Sequence, residues 1–481
     1  MVVAQMTSVK QGGDSPMLMN YQYRAYPTTQ QKRQLSYWLR ICRYWYNHQL
    51  GDRFDWWENN RTAVNSCPLV CSLPVLRDNP DFYSQKKQLP VIKEDLLKLN
   101  YSGELLDFTC VPSQTLQDVS KRVDLAFSRF NKGDSNGNRS GKPRFKNAAR
   151  YRTMRIEAQA VTIERVEKDS LFLSLSKLKG WVKVRLHRPL LNRAKLRNLL
   201  LTLKSDGWYI TICLEDSTVP EFKPDGIAPT WDNSIGLDAV LHEDDYLATS
   251  ENTKLLALKS FRKSENRLAK VSKRKATKNK GSRSRRKLAK REARVHQRIA
   301  RSRRDHAFKT AHALVRTGKK VFIHEDLNLK ALSKRNQVKQ DEHGKYLPNG
   351  QSAKSGLNKS WNDAAFGQFF TVLEYIAVKA GARTIACSPQ YRSQLLAYRD
   401  EFIFIDCDIR SYWDAELSLL IDRDLNAAIN LKRVGRGLFP TIKRRKGNPV
   451  VTASTTNSTL KEVLETLKCA RSLHSPSAEC R

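Results

Sequence analysis

Ser-Ile-Gly-Leu-Asp-Ala-Val-Leu, residues 234–241, is the stretch on which the fold turns. Its apolar run reads as a buried strand, and one carboxylate, Asp238, interrupts it. Two later stretches repeat the pattern. In Val-Phe-Ile-His-Glu-Asp-Leu, residues 321–327, Glu325 closes an apolar strand. In Asp-Arg-Asp-Leu-Asn-Ala-Ala-Ile-Asn-Leu, residues 422–431, Asp424 falls in the first turn of a helix. A buried carboxylate is costly unless it is paired or bound to a cation. Singly, each has a plain structural explanation: a strand-end turn for Asp238, a lysine partner for Glu325, a favourable charge at a helix N-terminus for Asp424. Together, on elements able to converge, they fit a phosphodiesterase site with two Mg²⁺ ions about 4 Å apart, Mn²⁺ being able to substitute.

The 481 residues suffice for two or three domains with a real core. Lys and Arg number 86 against 48 acids, a formal net charge of +38. A fold gains nothing from that self-repelling excess, which implies a polyanionic partner, nucleic acid. No apolar run approaches the roughly 20 residues of a spanning helix, so no membrane is expected. Residues 1–17 show no apolar core followed by a cleavage site and read as a disordered leader. The nine cysteines are scattered, which suits a reducing cytosol. Cys67 and Cys71 lack the second pair that four-ligand zinc needs.

Outward from the acids, periodicity divides the chain. Met19, Tyr21 and Tyr23 alternate with polar residues, as in a half-buried strand. Pro27 and Thr28–Thr29 can cap a helix carrying Leu35, Leu39, Cys42, Tyr46 and Leu50. A second helix carries Leu116, Val119, Val123, Ala126 and Phe130 on one face. From 150 to 216 the period is two, and Asp206–Gly207 marks a hairpin. These runs predict an antiparallel β-barrel (18–27 plus 147–226) with a helical domain (28–146) inserted. Residues 254–304 hold about twenty Lys and Arg against Glu265 and Glu292, with a thin stripe of Leu288, Val295 and Ile299. They predict a basic helical hairpin binding phosphates through Arg285, Arg286, Lys290, Arg291, Arg294 and Arg298. Residues 438–481, basic and then Ser/Thr-rich, read as a mobile tail.

The three acidic segments, in this order and with their flanks, resemble the TnpB family, transposon-encoded relatives of type V CRISPR effectors. YRAYPTTQQKRQL resembles the family's opening strand and helix; PSQTLQDVSKRVDLAFSRF followed by GKPRFK resembles the end of its recognition domain. GLDAVL, HEDL and DRDLNAA resemble its three RuvC motifs, and SGLNKSWNDAAFGQF the stretch after the second. The resemblance implies an α+β multidomain chain: an RNase H-like (RuvC) α/β nuclease domain (227–390 plus 424–437), with the barrel as a wedge domain and the inserted helices as a recognition domain. It implies a Mg²⁺-dependent endodeoxyribonuclease, monomeric and cytoplasmic, with guide RNA and target DNA as partners and Asp238, Glu325 and Asp424 as catalytic metal ligands. Lys142, Arg144 and Lys146 in the basic GKPRFK stretch are further candidate nucleic-acid contacts.

One departure stands out. The family's four-cysteine finger, SQxCxxCG…CxxCG, is reduced here to Ser393–Gln394 and Cys407. One thiol cannot hold tetrahedral zinc, so no structural zinc is expected. Leu396, Tyr398, Phe402, Phe404, Tyr412 and Trp413 predict an apolar mini-core in its place, within an insert spanning 391–423. Two other functions stay open: an RNA-guided DNA-binding repressor that has lost cleavage, and a DDE-like transposase acting directly on transposon ends.

Overall fold

The computed structural model describes residues 17–66, 78–94, 103–134, 137–190, 195–216, 224–406, 408–445, 448–453 and 457–472. Residues 1–16, Cys67, Cys71 and Cys407 lie outside the described residues. Two compact units divide the chain, Met1–Glu221 and Phe222–Arg481.

The first unit is built on seven antiparallel strands: β1 (Met17–Tyr26), β2 (Thr153–Glu157), β3 (Val161–Glu167), β4 (Ser170–Leu175), β5 (Trp181–Arg185), β6 (Lys195–Lys204) and β7 (Gly207–Asp216). Their order is β2-β6-β7-β1-β5-β4-β3. The two outermost strands are consecutive in the chain, joined by the turn Ala158–Ala160. A flat sheet of seven strands is roughly 29 Å wide, whereas that link reaches about 14 Å at most. The sheet is therefore rolled. The tight β6–β7 turn is Ser205–Asp206, because Lys204 pairs with Gly207, which opens β7.

Helices α1 (Thr29–Ser66), α2 (Phe82–Glu94) and α3 (Ser113–Asn131) follow β1. Thr28 and Gln31 form a reciprocal cap at the start of α1: Gln31 N–H donates to Thr28 Oγ1 at 3.2 Å, and Thr28 N–H to Gln31 Oε1 at 3.0 Å. Helices and sheet share one hydrophobic core, running from Leu35, Trp38 and Trp45 on α1 to Val182, Leu201 and Ile210 on the strands. The barrel and the inserted helices, expected as two domains, thus pack as one body. The apolar face of α3 ends early. Phe130 is exposed, and Phe127 turns inward instead, its ring 5.7 Å from that of Phe54.

The second unit centres on a five-stranded mixed sheet of β8 (Ser234–Ala239), β9 (Asp245–Thr249), β10 (Lys254–Leu256), β11 (Val321–Glu325) and β14 (Arg383–Cys387), ordered β10-β9-β8-β11-β14. β8, β11 and β14 run parallel, and β9 and β10 antiparallel. β12 (Lys339–Gln340) and β13 (Tyr346–Leu347) form a small hairpin beside the main sheet. The basic hairpin is α4 (Ser260–Ala276) and α5 (Arg283–Arg316). Its expected span of 254–304 needs correcting at both ends. Lys254–Leu256 belongs to the sheet, and α5 runs on to Arg316 because Ala307, Ala311 and Leu314 bury against the strands. Short α6 (Leu329–Leu332), α7 (Gln351–Ala364) and α8 (Phe366–Lys379) follow. Asp363 on α7 ties the hairpin's base together: it accepts from the Phe261 and Arg262 amides at the start of α4 and pairs with Arg303 on α5 at 2.9 Å.

After β14 come β15 (Ser411–Asp414), β16 (Leu419–Asp422), α9 (Arg423–Gly435), β17 (Thr441–Arg445), β18 (Asn448–Ala453) and α10 (Asn457–Ser472). Among the described residues of 438–472, the expected mobile tail is overturned. β17 and β18 pair, and Val463 and Leu467 of α10 bury in a core with Leu425 and Ile429 of α9. Leu460, Val463, Leu464 and Leu467 have the spacing of an apolar helical stripe, hidden in the sequence among serines and threonines. Leu396, Tyr398 and Phe404 join the same core, so residues 391–423 are fused to α9 rather than forming a free insert. Trp413 does not join them. It is 57% exposed, opposite Leu420 on the outer face of the β15–β16 pair.

Candidate active site

Strand alternation decides which way each acid points. On β8, Ile235 and Leu237 face the core made with α5 and α8, which leaves Ser234, Gly236 and Asp238 for the opposite face. On β11, Phe322 joins that same core, while Val321 and Ile323 pack with Leu431 of α9. Glu325 therefore shares the α9 face. Because His324 is level with Leu237, Glu325 comes level with Asp238 on the neighbouring strand, about 4.8 Å away across the sheet.

Helix α9 brings the third acid. A Cβ on Gly236 would overlap the Ala428 carbonyl oxygen and stand 3.0 Å from the Lys432 amide nitrogen. The absence of a side chain there lets the helix lie directly on the strand. Asp238 is two residues beyond Gly236, roughly 6.6 Å along the strand. Asp424 is four residues before Ala428, about 6 Å along the helix. Both displacements lead to the same end of the seam. Asp422 caps α9, accepting from the Asp424 amide at 2.8 Å and the Leu425 amide at 3.0 Å, which fixes the turn that carries Asp424. Lys254 from β10 reaches the other Asp422 oxygen at 3.0 Å.

Of the three acids, Asp238 feels both of the others. Burial, then the charges of Glu325 and Asp424, push the Asp238 carboxyl well above its usual range. Burial lifts Glu325 to about 7, with Arg392 opposing. Asp424 is raised by burial too, held back by Arg410, whose guanidinium donates to Asp424 Oδ2 at 2.7 Å. Three carboxylates with so little countercharge form a hard-oxygen donor set of the kind divalent cations satisfy. Among the described residues, however, no three or more His, Cys, Asp or Glu close around a point fit for an ion.

Sequence reasoning missed Arg410, Arg392 and the buried polar face of α9. Asn426 and Asn430 both donate to the Leu395 carbonyl at 2.7 Å, and buried Arg433 pairs with buried Asp400 at 2.7 Å. These bonds hold the former finger against the helix that carries Asp424. The Asp-Arg-Asp spacing could have revealed the cap; nothing in the sequence points from Arg410 to Asp424.

The candidate nucleic-acid residues are dispersed. Lys290, Arg291, Arg294 and Arg298 are exposed along α5. Arg285 and Arg286 bond instead to the hairpin's own carbonyls, Arg285 to Lys278 at 2.7 Å and Arg286 to Gly281 at 2.8 Å. In the first unit Lys142 lies 4.5 Å from the Phe54 ring and Lys146 5.6 Å from that of Tyr46, while Arg144 is exposed.

Two family profiles match the chain: a "Helix-turn-helix domain" over residues 17–62 and a "Probable transposase" over residues 228–336, which takes in Asp238 and Glu325. The first covers β1 and most of α1, one strand and one continuous helix in this structure. A Streptomyces pristinaespiralis protein named "Putative RNA-guided DNA endonuclease" is 26% identical over 86% of this chain and 89% of its own length. The Escherichia coli protein "Putative RNA-guided DNA endonuclease InsQ" is 28% identical over 70% of this chain and 78% of its own. Among solved structures, a Cas12f1–sgRNA–target DNA complex aligns with a TM-score of 0.40 at 11% identity, covering 87% of this chain and 99% of that one. The endonuclease CRISPR-Cas_phi3 aligns with a TM-score of 0.33 at 11% identity, over 64% and 65%. Both profiles, and relatives aligned over most of their length, support reading the chain as a TnpB family member.

Proposed function

We propose that the chain is an RNA-guided DNA endonuclease that cleaves by metal-assisted phosphodiester hydrolysis. What supports this most is that Asp238 and Glu325 lie on the α9 face of one mixed sheet while Asp424 sits in the first turn of α9, each lifted by burial. The order β10-β9-β8-β11-β14, antiparallel on one side of β8 and parallel on the other, supports an RNase H-like (RuvC) reading of this unit. The rolled sheet of the first unit supports the wedge reading, with guide RNA and target DNA as partners of a monomeric, cytoplasmic protein.

Asp238, Glu325 and Asp424 would hold two Mg²⁺ ions, or Mn²⁺, which when bound supply the charge that activates water and stabilises the leaving oxygen. The protein's own part is positioning. β8 and β11 present two acids from rigid strand ends, and the Asp422 cap sets the turn bearing the third. Arg410 neutralises Asp424 until another cation takes its place.

That ion pair also favours a second reading, RNA-guided DNA binding without cleavage. Protein carrying its co-purified RNA, incubated with matching plasmid and Mg²⁺, separates the readings. The first expects linear product, lost with EDTA and lost in Asp238→Ala, while gel-shift binding persists. Binding without any cutting would leave the second. Cutting that survives complete removal of RNA would point to a transposase acting directly on DNA.

A further inference from the structure

Helices that pack as a hairpin usually meet through apolar residues. In α4 the buried residue is Val271, yet Arg267 lies four positions before it and Arg274 three after, and Lys270, beside it in sequence, is three from Arg267 and four from Arg274. With Leu288 and Arg291 of α5 they line a cleft of about 320 Å³ between the two helices. Cations spaced three and four apart on a helix repel one another, and the hairpin's acids cannot offset them. Glu265 is held by Arg262 and Lys359, Glu292 by Lys275, and Asp305 by Lys309. None of the four cleft cations has a side-chain hydrogen-bond or ion-pair partner among the described residues. Other cations on α5 are unpaired too, but these four converge on one space with an apolar floor.

From this juxtaposition we infer that the α4–α5 cleft is a nucleotide-binding site. It takes one nucleotide of an unpaired strand, its phosphate among Arg267, Lys270, Arg274 and Arg291 and its sugar or base against Leu288. The volume decides the size of the occupant. Small-ligand sites span about 300–1,000 Å³, so this cleft stands at the lower limit and admits one nucleotide rather than a duplex. Arginine suits the task, because its planar fork grips phosphate oxygens in pairs. The inference rests on the nucleic-acid function proposed above and adds a defined seat on the basic hairpin. The same chemistry could come from RNA or from a single DNA strand.

The test uses full-length protein in EDTA, so that nothing is cut, and fluorescence anisotropy with labelled rU8 and dT8 at several salt concentrations. Arg267→Ala/Arg274→Ala is expected to weaken binding at least tenfold and to flatten the salt slope by about 1.4, or 0.7 for each lost phosphate contact. Lys273→Ala/Lys280→Ala, which removes the same charge outside the cleft, should weaken it less than threefold. Leu288→Asn should weaken it severalfold with the slope unchanged. All three variants alter partly or fully exposed side chains, and unchanged thermal midpoints confirm their folding. An effect confined to rU8 assigns the seat to RNA; an equal effect on dT8 assigns it to either strand. Equal losses in the two double variants would mean a diffuse field and overturn the proposal, as would Leu288→Asn binding like the parent. Neither of those outcomes touches the nuclease reading, which stands or falls on Asp238→Ala.

Discussion

Glu325 shows how much one residue's surroundings dictate. Burial lifts its carboxyl from an ordinary 4.5 to about 7. An acid with a raised value in the folded state holds its proton more tightly folded than unfolded. It therefore costs nothing below its unfolded value, and stability is lost as pH rises through its folded one. The full cost is on the order of 3 kcal/mol. In metal-free protein the thermal midpoint of Glu325→Gln should overtake that of the parent between about pH 4.5 and 7. Mg²⁺ added at about pH 8 should raise the parent's midpoint and leave the variant's largely unmoved. Parallel midpoint–pH curves for the two proteins would mean that Glu325 is fully solvated. The three acids were legible in the sequence because each breaks an apolar run, and alternation alone puts Asp238 and Glu325 on one face. Arg410 was not legible: its contact depends on the path of a loop, which no periodicity encodes.

At the scale of elements, the decisive contact is the seam between β8 and α9. Gly236→Ala places a methyl group against the Ala428 carbonyl, so helix or strand must shift. A displacement of about 1 Å at a catalytic group costs on the order of a hundredfold in rate. Cleavage should fall by that order while RNA binding is kept; an unchanged rate would mean that the helix yields without moving Asp424. The former finger gives a paired test. Phe404 is fully buried, and Phe404→Ala should cost about 3–5 kcal/mol. Trp413→Ala should change stability by no more than about 0.5 kcal/mol, since Trp413 faces solvent. Denaturant midpoints decide between them, and a large loss at Trp413 would contradict its outward position. The apolar replacement was legible in composition. The inward side of the β15–β16 pair was not, because Tyr412 and Trp413 are equally apolar and only the register, Trp413 opposite Leu420, separates them.

For the whole molecule, sequence periodicity located most strands and helices but misjudged where bodies end. Sheet and helices of the first unit share a core because α1 buries Trp38 and Trp45, and aromatic side chains that large span both layers. The C-terminal stretch was misread because its Ser/Thr content masks an apolar stripe. Removing residues 454–481 should expose Leu425 and Ile429 and delete Val463 and Leu467 from their core. Two fully buried aliphatic side chains are worth about 3–6 kcal/mol, a large part of the 5–15 kcal/mol that holds an ordinary domain. The truncated protein should melt well below the parent and become protease-sensitive around α9. An unshifted melting curve would show that α10 is dispensable.

The seam at Gly236 also sets a clock. It joins positions 236 and 428, and synthesis at about 5–20 residues per second separates their emergence by roughly ten to forty seconds. Throughout that interval the nascent chain owns Asp238, and later Glu325, but no Asp424 to set beside them. On the proposed mechanism, an unfinished copy released before α9 lacks a complete acid set and should not cut DNA.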